Sequence, residues 1–317
     1  MDKYFSVKDA GDPEALAREA LQVKYNPLAF KKLGENKSVC LIFLNPSLRT
    51  RLSTQKAAAN LGMDCFVFDV GKDGWQLEFE DGVVMNANKA EHIREAAAVI
   101  GSYFDVIAIR SFPTLENREK DYAEEVFNQF TKYCGKPVIN MESATLHPLQ
   151  SLTDLMTIRE HTKVERPKVV LTWAPHPRAL PQSTVNSFAQ WMNAARVDFV
   201  ITHPEGYALK EEFSGSARIE YDQGKAFEGA DFVYAKNWSS YESYGKVLRT
   251  DSEWMVTTDK MRLTNQGKFM HCLPVRRNVI VADDVLNSTD SIVIQQAANR
   301  EYAAQTVLKK ILESTHA

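Results

Sequence analysis

The segment Asn45-Pro46-Ser47-Leu48-Arg49-Thr50-Arg51 places a serine, a threonine and two arginines where a buried strand gives way to a helix. Free N–H groups and the positive end of a helix dipole would face an anion there, and Arg49 and Arg51 would add bidentate bonds to phosphate oxygens. Taken alone, the string also reads as a capping serine followed by two solvated arginines. A second segment, His147-Pro148-Leu149-Gln150, opens another helix, and His147, Gln150 and Asp154 share one of its faces. His and the Gln amide can donate to a carbonyl oxygen, and Gln also offers an acceptor to an NH2 group. A His-Pro pair at a helix start serves elsewhere as a cap or a core histidine. The third segment is His271-Cys272-Leu273-Pro274, at the end of a strand and followed by Arg276 and Arg277. Strand C-termini in open α/β sheets face the ligand crevice, and the Leu273 carbonyl there can accept from an amine or amide NH2. Cys272 reads either as part of that crevice or as a small buried hydrophobe.

The elements that must hold these segments alternate. Ser38–Leu44, Asp64–Val70, Asp105–Ile109 and Pro137–Asn140 are short apolar runs expected as strands. Helical periods are expected over Arg51–Leu61, near Ala90–Gly101 and over Leu115–Tyr133. A second series starts with the strand Lys168–Trp173, then a helix with Val185, Phe188, Met192 and Ala195 on its apolar face. Later strands are expected at Asp198–Thr202, Asp231–Ala235 and Lys268–His271. Both series have a strand ending in a proline turn, Asn45-Pro46 and Ala174-Pro175, so two similar α/β units are expected, each a parallel sheet flanked by helices. Their boundary falls near His147–Val164. The last helix, about Ile294–Leu312 with Ala303, Val307 and Ile311 at helical spacing, is expected to pack back across the first unit.

A length of 317 residues suits two domains, each with its own core. Lys plus Arg at 38 against Asp plus Glu at 41 leaves a net charge of −3, so no global positive field serves nucleic acid; an anion must be met by a local arginine cluster. Met1–Phe5 lacks the apolar stretch of a secretory signal and no window reaches a membrane span, so a cytoplasmic protein is expected, without a membrane or nucleic-acid partner. Cys40, Cys65, Cys134 and Cys272 form no Cys-x-x-Cys pair, and the seven histidines show no metal-ligand spacing. None of the 14 glycines makes a dinucleotide fingerprint or a P-loop, and no nucleophile elbow is present. No metal and no cofactor are expected.

In this order and at these separations, the three segments resemble the transcarbamylase family. There, aspartate and ornithine carbamoyltransferases share a phosphate loop of the Ser-Thr-Arg-Thr-Arg type, a His-Pro-x-Gln segment and a final His-x-Leu-Pro. The resemblance implies a carbamoyl-phosphate domain, 1–147 joined by the C-terminal helix 294–317, and a domain for the amino substrate, 148–293. It also implies a homotrimer with sites shared between subunits. Carried over by position, Ser47, Leu48, Arg49 and Thr50 hold phosphate; Arg110, His147, Gln150, Cys272, Leu273 and Arg300 complete the carbamoyl phosphate site; and Arg49, Arg110, His147 and Cys272 are the residues closest to the chemistry. Leu48 replaces the family's usual threonine, which removes one hydroxyl.

The Asp-x-x-x-Ser-Met-Gly string by which ordinary ornithine enzymes hold the free α-amine is absent; the region reads Tyr234-Ala235-Lys236-Asn237-Trp238. An acylated amine carries no charge and needs no acidic partner. Gly71-Lys72-Asp73-Gly74-Trp75, Val83-Val84-Met85, Asn140-Met141-Glu142 and Leu273-Pro274-Val275-Arg276-Arg277-Asn278 are similar to the acylornithine branch of the family, which acts on N-acetylornithine or N-succinylornithine in arginine synthesis. The resemblance then implies that Trp75 enters a neighbouring subunit's carbamoyl phosphate site and that Ala90, Glu142, His176, Lys236, Leu273 and Arg276 contact the acylornithine. Acetyl-preferring relatives carry glutamate where Ala90 stands, and a second carboxylate is repelled by glutamate but accepted by alanine near His176, Arg178 and Arg276. N-succinylornithine is therefore the expected acceptor. N-acetylornithine is the alternative, ahead of free ornithine or a non-catalytic binding homologue.

Overall fold

The computed structural model describes residues 1–315, and the last two positions of the expected helix 294–317 lie outside the described residues. Ser38–Phe43 buries five consecutive residues, which an extended chain achieves only inside a sheet covered on both faces. The first sheet is made of β1 (Lys3–Tyr4), β2 (Ser38–Phe43), β3 (Asp64–Asp69), β6 (Val106–Arg110) and β7 (Val138–Glu142), in the order β1-β7-β6-β2-β3. Between β3 and β6 the chain makes a small two-stranded pair, β4 (Leu77–Glu78) with β5 (Glu91–His92). The second sheet contains β8 (Lys168–Trp173), β9 (Asp198–Thr202), β10 (Arg218–Glu220), β11 (Phe232–Lys236) and β12 (Lys268–Met270), in the order β10-β9-β8-β11-β12. Every pairing in both sheets is parallel. The two-sheet α/β class read from alternating patterns is thus the observed architecture.

In the first sheet β2 has β3 on one side and β6 on the other; in the second, β8 lies between β9 and β11. The chain changes direction of travel across the sheet at both places, and there helices leave opposite faces and open a crevice at the strand C-termini. Phe43, Arg110, Trp173 and Lys236 end those strands.

The helices of the first half are α1 (Pro13–Tyr25), α2 (Leu48–Leu61), α3 (Val70–Asp73), α4 (Ile93–Tyr103), α5 (Arg118–Tyr122) and α6 (Glu125–Tyr133); α7 (Pro148–His161) crosses to the second half, where α8 is Ser183–Ala194. The C-terminal helix, Val293–Thr315, returns to pack on α2, α7 and α1. Its buried Ala303, Val307, Leu308, Ile311 and Leu312 weld the two ends of the chain, each of the larger side chains contributing about 1.5–3 kcal/mol of burial.

Three expectations are corrected. The helix expected from Arg51 begins at Leu48, because Ser47 is extended and Leu48–Thr50 form the first turn. The helix expected near Ala90 begins at Ile93, because Glu91 and His92 pair with Leu77 and Glu78. The single helix expected over Leu115–Tyr133 is broken into α5 and α6 at Glu124, whose φ is 51°. The Glu124 carboxylate there accepts hydrogen bonds from Ser143 Oγ and the backbone N–H groups of Ala144 and Thr145, pinning the loop that leads from β7 into α7. That tertiary demand outweighs the helical period.

Candidate active site

The strand ends converge on a cleft of about 390 Å³ between the two sheets. From the first sheet it receives the turn after β2. Ser47 is the N-cap of α2, yet its hydroxyl makes no capping hydrogen bond, so hydroxyl and first-turn N–H groups are free for a ligand. Ser47, Leu48, Arg49 and Thr50 all line the cleft. Arg51 does not line it and is exposed.

Arg110, the last residue of β6, is buried and anchored from two sides. Its Nη1 donates to the carbonyls of Asn45 (2.9 Å) and Pro46 (2.8 Å), and its Nε donates to Glu142 Oε2 at 3.2 Å. The guanidinium also stacks over Phe112, 4.0 Å from the ring centroid. Glu142, at the end of β7, is held in turn by Ser183 Oγ at 3.0 Å. The strand expected to stop at Asn140 runs on to Glu142, and this brings the carboxylate into the cleft.

His147 is the N-cap of α7 and, like Ser47, makes no capping bond from its side chain. It is buried with Nδ1 unpartnered, and Nε2 lies 3.7 Å from Glu142 Oε2. Burial, then the nearby Arg300 and Arg110, hold its pKa well below the ordinary imidazole value, so the ring is neutral and carries one N–H. One turn along, Gln150 faces the same cleft; its Oε1 accepts from Arg300, while the second Arg300 amino group donates to Thr50 Oγ1 at 2.6 Å. Arg300 arrives from the C-terminal helix, so its packing across the first unit has a direct consequence for the site.

The second sheet supplies His176 beyond β8, Lys236 at the end of β11, and Cys272 and Leu273 beyond β12. Leu273 has a φ of 56°, and its N–H donates to His271 Nδ1 at 2.8 Å. That backbone turn leaves its carbonyl oxygen without a partner among the described residues. Burial raises the Cys272 thiol, so it is not a thiolate. Arg276 is exposed and outside the cleft lining, but its Nε donates to His176 Nε2 at 2.9 Å, tying it to the rim.

Two expected residues are elsewhere in the chain's own fold. Trp75 is exposed, with its indole N–H donating to Glu91 Oε2 at 2.8 Å, and Ala90 is exposed beside the β4–β5 pair. Neither lines the cleft. Conversely, Phe112, Leu180, Pro181 and Thr184 line it without having been singled out, and Pro46 and Pro274 line it though they were named only as parts of their turns. Their signal was position alone: each follows a strand or stands just before or within the first turn of a helix. Among the described residues no group of three or more metal-ligating side chains is gathered anywhere, and no helix is long and apolar enough to cross a membrane.

The titration pattern makes a prediction for the whole fold. His147, His161, His176, His203 and His271 are all held below the ordinary value, chiefly by burial. Unfolding returns them to about 6.5, so the unfolded chain takes up protons that the folded chain refuses, and stability falls as pH drops below that value. Asp154 and Glu124, raised by burial, act with the opposite sign: their contribution falls as pH rises from the ordinary carboxylate range, to about 7 for Asp154. Five imidazoles outweigh two carboxyls. Thermal unfolding at about pH 5.5 is therefore expected several degrees below that at about pH 7, and an equal or higher Tm at the lower pH would show that these rings are charged in the fold.

Residues 5–160 match the model of the aspartate/ornithine carbamoyltransferase carbamoyl-P binding domain, and residues 181–311 match that of the Asp/Orn binding domain. The chain is 56% identical over 316 residues to the N-succinylornithine carbamoyltransferase of Bacteroides fragilis, covering 99% of each. It is 36% identical to the N-acetylornithine carbamoyltransferase of Xanthomonas campestris pv. campestris, covering 94% of each. Among solved structures it superposes with a TM-score of 0.91, at 35% identity and over 98% of this chain and 100% of the other, on N-acetyl-L-ornithine transcarbamylase. That structure is of a mutant with a glutamate changed to alanine, complexed with carbamyl phosphate and N-succinyl-L-norvaline. With both domains matched and full-length relatives above one third identity, the chain belongs to the aspartate/ornithine carbamoyltransferase family.

Proposed function

We propose that this protein transfers the carbamoyl group of carbamoyl phosphate to the δ-amine of N-succinylornithine, releasing N-succinylcitrulline and phosphate in arginine biosynthesis. The observation that carries this reading is the full-length 56% identity to an N-succinylornithine carbamoyltransferase, joined to a cleft that offers an uncapped helix start and three arginines to one anion. Residues 1–147 with the C-terminal helix form the carbamoyl phosphate domain, and 148–293 form the acylornithine domain. N-acetylornithine is the second reading, favoured by the N-acetyl-L-ornithine transcarbamylase neighbours.

In this account Ser47, Leu48, Arg49 and Thr50 grip the phosphate. Arg110, Thr50 and the neutral His147 polarise the carbamoyl carbonyl, where negative charge develops as the uncharged amine attacks. Gln150 and the Leu273 carbonyl accept from the carbamoyl NH2, with Cys272 packed beside them as a thiol. The departing phosphate takes the proton, so no covalent intermediate forms on the protein. Glu142, His176, Lys236 and Arg276 receive the acylornithine, and its carboxylates meet Lys236 and Arg276. The chain needs no metal or cofactor for these steps. Mass detection of the ureido product together with phosphate, in equal amounts, tests the reaction; phosphate release without ureido product would refute it.

The assembly is a cytoplasmic homotrimer with shared sites, in which Trp75 and Ala90 complete a neighbour's cleft and Arg300 its own. Supporting it, β3 is a sheet edge among the described residues, and the exposed Phe66, Trp75 and Val99 line a hollow of about 300 Å³ beside it. Light scattering is expected to give three times the mass of one chain. An inactive Arg49→Ala chain mixed and reassembled with an inactive Trp75→Ala chain is expected to recover activity; a fully active monomer would contradict the shared site.

A further inference from the structure

Asp154 lies one helical turn beyond Gln150 on α7, fully buried and outside the cleft lining. Its Oδ1 accepts two amide donors, Gln150 Nε2 and Gln296 Nε2, each at 2.7 Å. Gln296, on the C-terminal helix, uses its own carbonyl oxygen to accept from the His271 N–H at 2.9 Å. The carboxylate therefore joins the helix that carries Gln150 to the backbone that leads into Cys272 and Leu273. At the other end of the Gln150 amide, Oε1 accepts from Arg300. Turned end for end, the amide would set its NH2 against the guanidinium and its oxygen against the Asp154 oxygen, two repulsive contacts between buried groups. One orientation is thus selected twice, and in it Gln150 presents an acceptor to the cleft, not a donor.

We propose that Asp154 is a positioning residue that fixes the Gln150 amide with its oxygen toward the cleft, and so makes the site select an acyl phosphate bearing an NH2 group over its methyl isostere. This rests on the carbamoyl-transfer reading above. Carbamoyl phosphate and acetyl phosphate have almost the same shape and the same phosphate, and differ in whether the group beside the carbonyl can donate. Gln150 Oε1 keeps its bond from Arg300 but has a second lone pair to offer, and the Leu273 carbonyl offers its own; a methyl group leaves both acceptors facing carbon, without the hydrogen bonds that an NH2 group supplies. Among the described residues Asp154 Oδ2 and the Tyr234 hydroxyl accept or donate no close hydrogen bond, though the two groups lie near enough to affect each other's titration. Burial pushes the Asp154 carboxyl up to about 7, but Oδ1 accepts from both amides whether or not Oδ2 carries a proton. The device therefore works through geometry and does not require the charge.

The test compares the wild type, Asp154→Asn and Asp154→Leu. The kcat/KM for carbamoyl phosphate is measured with saturating acylornithine, and acetyl phosphate and inorganic phosphate are each measured as competitors. In Asp154→Leu both amides lose their acceptor, and only Arg300 still selects the orientation of Gln150. The kcat/KM for carbamoyl phosphate is expected to fall about 10- to 100-fold, with the inhibition constants of the two competitors moving less than about threefold. Asp154→Asn keeps Oδ1 toward both amides and is expected to restore most of the loss. Should the leucine variant be too unstable to assay, Asp154→Ala carries the same expectation without added bulk. Equal weakening of all three ligands would make Asp154 merely structural and overturn the inference, as would an unchanged preference for carbamoyl phosphate. Absence of carbamoyl transfer by the wild type itself would instead overturn the functional reading, and is distinguished by that control.

Discussion

Arg49→Ala lowers kcat/KM for carbamoyl phosphate by on the order of 10²–10³, the loss that follows removal of one group stabilising developing charge. The three cleft arginines are not equivalent. Arg110 is held by Glu142 and by the carbonyls of Asn45 and Pro46, and Arg300 by Gln150 and Thr50. Arg49 lines the cleft half-buried and makes no side-chain hydrogen bond or ion pair among the described residues. It sits in the first turn of α2, where the helix dipole already favours an anion. Its removal takes away a ligand contact and little else, so Tm is expected to stay within about 2 °C while turnover collapses. Steady-state kinetics beside a melting curve check this. Activity within a few fold of wild type would sink the phosphate assignment of the Ser47–Thr50 turn.

Ala90→Glu shifts the acceptor preference from succinyl to acetyl by roughly five- to several-hundredfold. The range reflects the repulsion between a new carboxylate and the succinyl carboxylate, about 1 kcal/mol at 4 Å in water and about 4 kcal/mol near a protein surface. Ala90 is exposed, and its backbone N–H donates to the Gln76 carbonyl at 3.2 Å, which fixes the register of the loop beside Trp75. The neighbouring Glu91 carboxylate accepts from the Trp75 indole at 2.8 Å. The measurement is the ratio of kcat/KM values for the two acylornithines; an unchanged ratio removes Ala90 from that pocket.

The parallel sheets were legible because β2, β6 and β8 are apolar runs with no competing pattern, and parallel strands buried on both faces must read that way. The anion turn was legible for a related reason: Ser47 and Arg49 are polar residues placed where such a strand ends. α7 shows the opposite case. Ser151, Thr153, Asp154 and Thr157 are buried on it beside Leu152 and Leu155, so it has no polar face for a period to reveal. The second function of Asp154, as acceptor for an amide 142 positions away, depends on the C-terminal helix arriving beside it. Glu124 broke an expected helix for the same kind of cause, since its partners Ser143, Ala144 and Thr145 are distant in sequence. Trp75 and Ala90 were named through resemblance, and no single chain's packing brings them to its own cleft.

The identity of the acceptor is open to a single comparative assay. Purified protein with saturating carbamoyl phosphate is given ornithine, N-acetylornithine and N-succinylornithine in separate reactions, and initial rates of ureido-product formation are compared. N-succinylornithine is expected to react fastest, N-acetylornithine more slowly, and ornithine hardly at all, because no acidic residue replaces the missing α-amine site. Faster carbamoylation of ornithine or N-acetylornithine than of N-succinylornithine would contradict the account.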